Sequence, residues 1–246
     1  MNTDHILLGF STGVLHKTHT TKEALKIIKD IGCTAVELGF VKMEQIEQGW
    51  LDKISPEDIS SFRYVSLHAP KFDYGNNAGT EVLFKKMAEV NALRKLDCVV
   101  FHPDCVKDFG VFKNAPFRIA FENMDDRKES FQKPEELARV LSEDEKYGMV
   151  LDINHIYSND PSMRLAEEFY TRLGSKIVQI HLSGNAGYHD PIFKTRQTEI
   201  LNAIQDFTTP IIIESVISAE EITEEKKYVM DGIAALLAER ETAFRG

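Results

Sequence analysis

The sequence predicts a single (β/α)8 TIM barrel, and three observations carry that expectation. Short apolar, β-branched runs recur along all 246 residues; amphipathic stretches with helical spacing separate most of them; and the interval between runs is near ~30 residues, enough for a strand, a helix and two turns. Chains of ~200 to 250 residues commonly form such a barrel as one domain, so residues 1–246 are taken as one unit. A doubly wound sheet is the alternative that the same alternation permits.

The eight runs are 6–10, 35–38, 64–67, 98–101, 118–121, 149–151, 177–180 and 210–213. Each is predominantly apolar, the pattern of a parallel strand covered on both faces. Helical spacing marks 21–31, 80–96, 133–141, 161–173 and 196–206, and 220–239 reads as a closing helix. Thr20 or Thr21 ahead of Glu23, Pro134 before Glu135 and Glu136, and Asp160-Pro161 supply helix starts. The run 43–51, with Trp50, reads as a helix packed on the barrel, whereas 105–117 is weakly helical and predicts an irregular fourth crossover.

Composition narrows the function classes. Apolar residues at 43% and charged residues at 28% are those of a globular chain. The net charge of -10, from 39 acidic against 29 basic residues, works against general affinity for a phosphate backbone. No apolar run approaches the ~18 residues of a membrane span and the start lacks a signal-peptide pattern, so a cytoplasmic protein with no membrane partner is expected. Cys33, Cys98 and Cys105 form no CxxC pair, which points to neither a disulfide framework nor a cysteine zinc cage. Gly9, Gly13 and Gly75 form no nucleotide-cradling pattern. Nothing in the sequence sets the oligomeric state.

Barrel enzymes place their chemistry at the C-terminal ends of the strands, which makes the residues just past each run the informative ones. The third run ends in His68 (SLHAP), the fourth in His102 (FHPD) and the fifth in Glu122 (FENMD). The sixth ends in Asp152 followed by His155 (LDINH), the seventh in His181 (IHLSG) and the eighth in Glu214 (IIIES). His189 follows in the loop after the seventh, and His16 and His19 occupy the first loop as surface residues or substrate contacts.

One such histidine alone reads as a structural residue. Six consecutive strands ending in metal-capable side chains read differently, because converging carboxylates repel one another unless cations compensate them. Imidazole and carboxylate without thiolate suit zinc, manganese, iron or cobalt rather than calcium. The ligands are too many for one tetrahedral ion, so two or three ions are expected, with Glu122 central enough to bridge. Two ions ~3.5 to 4 Å apart suit phosphoester hydrolysis. One ion, with Glu122 and Glu214 moving a proton between adjacent carbons, suits isomerisation of a hydroxy-carbonyl. The residues permit either.

The phrases LHAP, FHP, EN, LDxxH, IHL and IIIES, in this order and each at a strand end, resemble the xylose isomerase-like barrel superfamily, which includes the endonuclease IV (AP endonuclease family 2) enzymes. The resemblance runs over essentially the whole chain. Toward endonuclease IV it implies zinc: a first ion on His68, His102 and Glu122, a second on Glu122, Asp152, His181 and Glu214, and a third on His155 and His189. The family's third zinc also takes an aspartate two residues before the histidine, where this chain has Gly187; Asp190 is the available substitute. The endonucleases also carry basic and bulky residues after strands 1 to 3 that grip DNA. Here the loops 14–20, 41–48 and 71–77 offer Lys17, Lys42 and Lys71 but no groove.

The single-metal sugar isomerases and epimerases of the superfamily share Glu122, Asp152, His181 and Glu214, and AVELGF at strand 2 resembles their usage. They commonly lack the paired histidines after strands 3 and 4. His68 with His102 therefore directs the expectation to a multinuclear phosphoester hydrolase with a small substrate, loaded with zinc or else manganese. A sugar isomerase or epimerase using Glu122 and Glu214 is the alternative, and a non-catalytic metal- or ligand-binding protein a minor one.

Overall fold

The structure is a computed structural model that describes residues 5–40, 43–49 and 51–245. Its strands are β1 (Leu8–Ser11), β2 (Ala35–Gly39), β3 (Tyr64–His68), β4 (Cys98–Phe101), β5 (Ile119–Glu122), β6 (Gly148–Asp152), β7 (Ile177–Leu182) and β8 (Ile211–Ile213). They pair in sequence order, all parallel, and β8 closes on β1 through Leu8↔Ile211 and Phe10↔Ile213. The eight-stranded closed barrel expected from the alternation is the fold.

Side chains alternate across a strand, so each strand sends one set inward and one outward. Val36, Leu38, Val65, Leu67, Val99, Phe101, Phe121, Leu151 and Ile213 belong to the large core between strands and helices. The intervening residues Ala35, Tyr64, Cys98, Val100, Ala120, Val150 and Ile212 form a separate inner plug. Two residues further along, the inward set turns polar: Glu37 after Ala35, Ser66 after Tyr64, His102 after Val100, Glu122 after Ala120, Asp152 after Val150 and Glu214 after Ile212. The site is therefore the next layer of the barrel interior, resting on a sealed apolar floor.

Around the strands, α1 (Thr21–Asp30) opens on a capping box in which Glu23 N–H donates to Thr20 Oγ1 at 3.3 Å and Thr20 N–H to Glu23 Oε2 at 2.8 Å. The helix expected over 43–51 is α2 (Met43–Glu47), followed by α3 (Pro56–Ile59); Trp50 and Lys42 lie outside the described residues. α4 (Ala78–Leu93) starts earlier than expected because Asn77 takes the cap, its Oδ1 accepting from Thr80 N–H at 2.9 Å. The fourth crossover is irregular, two 3-10 segments at Pro103–Cys105 and Phe109–Asn114, and Phe112 wedges it against Phe101 at 4.8 Å between ring centroids.

α5 (Pro134–Leu141) agrees with expectation, and α6 (Ile153–Asn159) follows β6 directly. α7 (Arg164–Leu173) begins later than 161 because Met163 adopts φ 60°. The single helix expected over 196–206 is instead α8 (Ile192–Thr195) and α9 (Thr198–Asn202), broken where Arg196 takes φ 57°. α10 (Ile222–Arg245) closes the ring. Among the described residues no helix is long and apolar enough to cross a membrane.

Candidate metal centre

Glu122 occupies the middle of the barrel mouth. Its Oε2 faces Nε2 of His68 at 3.2 Å and Nε2 of His102 at 3.1 Å, while its Oε1 faces Nδ1 of His181 at 3.1 Å. His181 Nδ1 also stands 3.4 Å from Glu214 Oε2. Ligand atoms of His68, His102 and Glu122 lie within 4.8 Å of one another, and those of Glu122, Asp152, His181 and Glu214 do the same. The strand ends thus bring six of the expected residues into two groups that share Glu122.

Local structure aims these side chains. Asp152 is the N-cap of α6, with Oδ1 accepting from His155 N–H at 2.9 Å, so Oδ2 is left buried and without a hydrogen-bond partner. Asn123 laces β5 to β6, donating to Asp152 O at 2.9 Å and accepting from Asp152 N–H at 2.8 Å. His68 gives its Nδ1 side to Ala69 O at 3.0 Å, and His155 gives its own to Asn123 O at 2.8 Å. Each ring then presents Nε2 to the interior. Buried polar atoms that make no hydrogen bond are destabilising, and Asp152 Oδ2 and His155 Nε2, which face each other at 3.4 Å, are two of them. A donor set of imidazole nitrogens and carboxylate oxygens around such atoms fits a borderline divalent cation such as zinc or manganese.

The charges show how tightly the groups interact. Burial opposes ionisation of Glu122, but His181 and the hydrogen bonds from His102, His181 and His68 hold its carboxyl well below the usual range. Burial raises Glu214, and the neighbouring Glu37 and Glu122 add to this against the pull of His181, to about 8. Burial lifts Asp152 to about 6. Burial works against charging His68, yet Glu122, Glu37 and Glu214 raise it to about 9.

A cleft of about 210 Å³ opens above the cluster, with His68, His102, Glu122 and Glu214 at its base. No protein-family model matches the sequence, and no curated protein matches it. Solved structures do. A D-tagatose 3-epimerase-like protein superposes with TM-score 0.70 at 16% identity, over 95% of this chain and 99% of that one. Endonuclease IV from Thermus thermophilus gives 0.66 at 17% identity over 93% and 99%, and the IOLI protein, solved with a zinc atom, gives 0.66 at 15% over 94% and 99%. These likenesses show the fold, a closed (β/α)8 barrel, in keeping with the expectation from the sequence.

The third ion position implied by the resemblance is built differently. His155 and His189 stand together, ring centroids 5.7 Å apart, but among the described residues no group of three ligand atoms includes them. Asp190, the substitute available for the aspartate missing at Gly187, is engaged in hydrogen bonds in this structure. Its Oδ2 closes its own short loop, accepting from the N–H groups of Ala186 (3.0 Å), Gly187 (2.6 Å) and Tyr188 (2.9 Å). Asp125 lies 3.9 Å from His155 Nε2 but is held by the Arg127 guanidinium. Of the loop candidates, His16 and Lys71 line the cleft, whereas His19 pairs with Thr18 Oγ1 at 2.8 Å.

One residue of the cluster escaped the sequence reading. Glu37, wholly buried on β2, lies 3.0 Å from His181 Nε2 through its Oε2. The available signal was a single acid inside the otherwise apolar strand AVELG.

Proposed function

We propose that the chain is a divalent-metal-dependent hydrolase of small phosphoesters, with zinc the favoured ion and manganese a substitute. The observation that carries this reading is Glu122, each of whose oxygens faces a different set of ligands. His68, His102 and Glu122 would hold one ion, and Glu122, Asp152, His181 and Glu214 the other. Two divalent ions so held supply Lewis acidity toward a phosphoryl oxygen and offset the negative charge that develops on it.

The chain's own residues supply the rest. His68 and His102 present lone pairs from one side of the mouth, Glu122 spaces the two groups, and the sealed inner plug below keeps bulk water out from beneath. Glu214, 17% exposed, is the most exposed carboxyl of the second group and lines the cleft, where it is placed to take or give a proton. The cleft, at about 210 Å³, is below the ~300 Å³ of ordinary drug-sized sites, which favours a small substrate. Above the ligand cluster the described wall mixes apolar Val14, Phe40, Ala69 and Val216 with polar Ser11, His16, Lys71, Tyr188 and His189.

A single-ion sugar isomerase or epimerase is the second reading. It is favoured by Glu122 and Glu214 standing in one group, two carboxyls able to remove and return a proton, and by the likeness to a D-tagatose 3-epimerase-like protein. To test these readings, metal is counted in wild type and Glu122→Gln after loading, and loaded wild type is assayed against phosphomonoesters, phosphodiesters and a ketose panel. The expected result is about two equivalents in wild type, loss from both positions in Glu122→Gln, and phosphoester cleavage above ketose interconversion. Ketose interconversion that survives His68→Ala and His102→Ala moves the chain to the second reading. Metal uptake with turnover of neither class leaves a binding protein.

A further inference from the structure

We propose that Glu37 is the positioning residue of the metal centre: it orients His181 so that Nδ1 faces the ions, and it supplies the fourth carboxylate charge that two divalent cations call for. This inference rests on reading the mouth as a two-metal site.

Glu37 is 0% exposed and stands one inward step above Ala35 of the inner plug. Its Oε2 accepts from Gln179 Nε2–H at 2.7 Å and Ser66 Oγ–H at 3.3 Å and faces His181 Nε2 at 3.0 Å. Gln179 Nε2 is itself 2.6 Å from His181 Nε2, where it could donate to an unprotonated Nε2 in competition with Glu37, so the proton on Nε2 is part of the proposal and is what the spectrum below reads. The other ring nitrogen, Nδ1, lies 3.1 Å from Glu122 Oε1 and 3.4 Å from Glu214 Oε2. A ring that gives its Nε2 proton to Glu37 keeps its lone pair on Nδ1, on the side of the ligand cluster.

Charge points the same way. Glu37, Glu122 and Glu214 all lie within 3.4 Å of His181, and Asp152 belongs to the same ligand group. Four carboxylates balance two divalent cations when the imidazoles are neutral, whereas three leave a buried excess of positive charge. A carboxylate sealed inside a strand is otherwise strongly unfavourable. Glu37 Oε1, buried with no hydrogen-bond partner, shows that protein donors alone do not fully satisfy it.

The experiment compares wild type with Glu37→Gln, which keeps the shape and loses the charge, and with Glu37→Asp, which keeps the charge. Zinc affinity is read by chelator competition, thermal stability on chelator-treated protein, and the His181 ring by 15N spectra of the zinc-loaded state. Glu37→Gln is expected to weaken one of the bound equivalents by roughly 10- to 100-fold without lowering the melting temperature of the metal-free protein. Glu37→Asp is expected to recover part of the affinity, and wild-type His181 to show a metal-bound Nδ1 with a protonated Nε2. Zinc affinity of Glu37→Gln within twofold of wild type overturns the proposal. So does a fall in metal-free stability with unchanged affinity, the mark of a purely structural carboxylate. If Glu37→Gln does not fold, the wild-type spectrum decides alone: His181 bound through Nε2 overturns the assignment. A wild type that takes up no zinc defeats the two-metal reading itself, whereas normal wild-type uptake with an unaffected variant defeats only the role of Glu37.

Discussion

His68 and Glu214 are pushed by their surroundings toward keeping a proton, which a cation bound at the mouth would have to displace. Burial disfavours the charged ring of His68, but Glu122, Glu37 and Glu214 raise its pKa from 6.5 to about 9, and burial raises Glu214 from 4.5 to about 8. For the metal-free protein the sign is the same for both groups. Their contribution to stability is fully present below the unfolded pKa and is lost as pH rises through the folded one. Zinc uptake runs the other way, because it releases those protons and so strengthens as pH rises. The melting temperature of chelator-treated protein is therefore expected to fall between pH 6.5 and about 9, while the added stability conferred by zinc widens over that interval. Paired thermal melts across the range check this, and parallel curves with and without zinc would show that these groups share no cation. His68, His102, Glu122, Asp152, His181 and Glu214 were legible in the sequence because each sits where an apolar run stops, a position that needs no tertiary information. Glu37 was not, since it lies inside a run and acquires its role only when β7 closes beside it. The fate of Asp190 was equally hidden, because it depends on hydrogen bonds within one short loop.

Gly9 shows how closely the strands that carry these residues must approach. It pairs with Ala35 across β1 and β2, and a Cβ at Gly9 would lie 1.7 Å from the Ala35 carbonyl oxygen, a backbone atom with no rotamer to relieve the clash. Gly9→Ala is expected to destabilise the fold by about 3 kcal/mol or more. Because Glu37 lies two residues beyond Ala35, the same variant is expected to lower zinc affinity. Urea unfolding and chelator competition measure the two effects, and a loss under ~1 kcal/mol would mean that β2 moves freely away from β1. The strands were legible because burial on both faces leaves a mainly apolar run, and the structure extends several of them by the site residue itself, as at His68, Glu122 and Asp152. Helix starts set by local side chains, such as Thr20 with Glu23, were legible too. The breaks at Met163 and Arg196 were not, since both are non-glycine residues held at positive φ by their surroundings rather than by their own preference.

Across the whole molecule, charge and shape decide between a small substrate and a nucleic acid. The chain carries a net charge of -10, and duplex binding draws its free energy from cations that displace counterions from phosphates. Near the mouth the described cations are few and partly committed: Arg127 is held by Asp125, Lys128 is paired with Asp104, and Lys71 lines the cleft. A closed barrel with a cleft of about 210 Å³ offers a point of attachment rather than a track. An abasic-site duplex is therefore expected to bind weakly at physiological salt, to be released as salt is added, and to be nicked far more slowly than a small phosphoester is cleaved. Fluorescence anisotropy over a salt series, with a nicking assay on the zinc-loaded protein, measures both. Tight, salt-resistant binding with efficient nicking would mean that the loops carrying Lys17 and Lys71 supply a cationic surface, and would make the chain a repair endonuclease whose net charge misleads about its DNA-facing side.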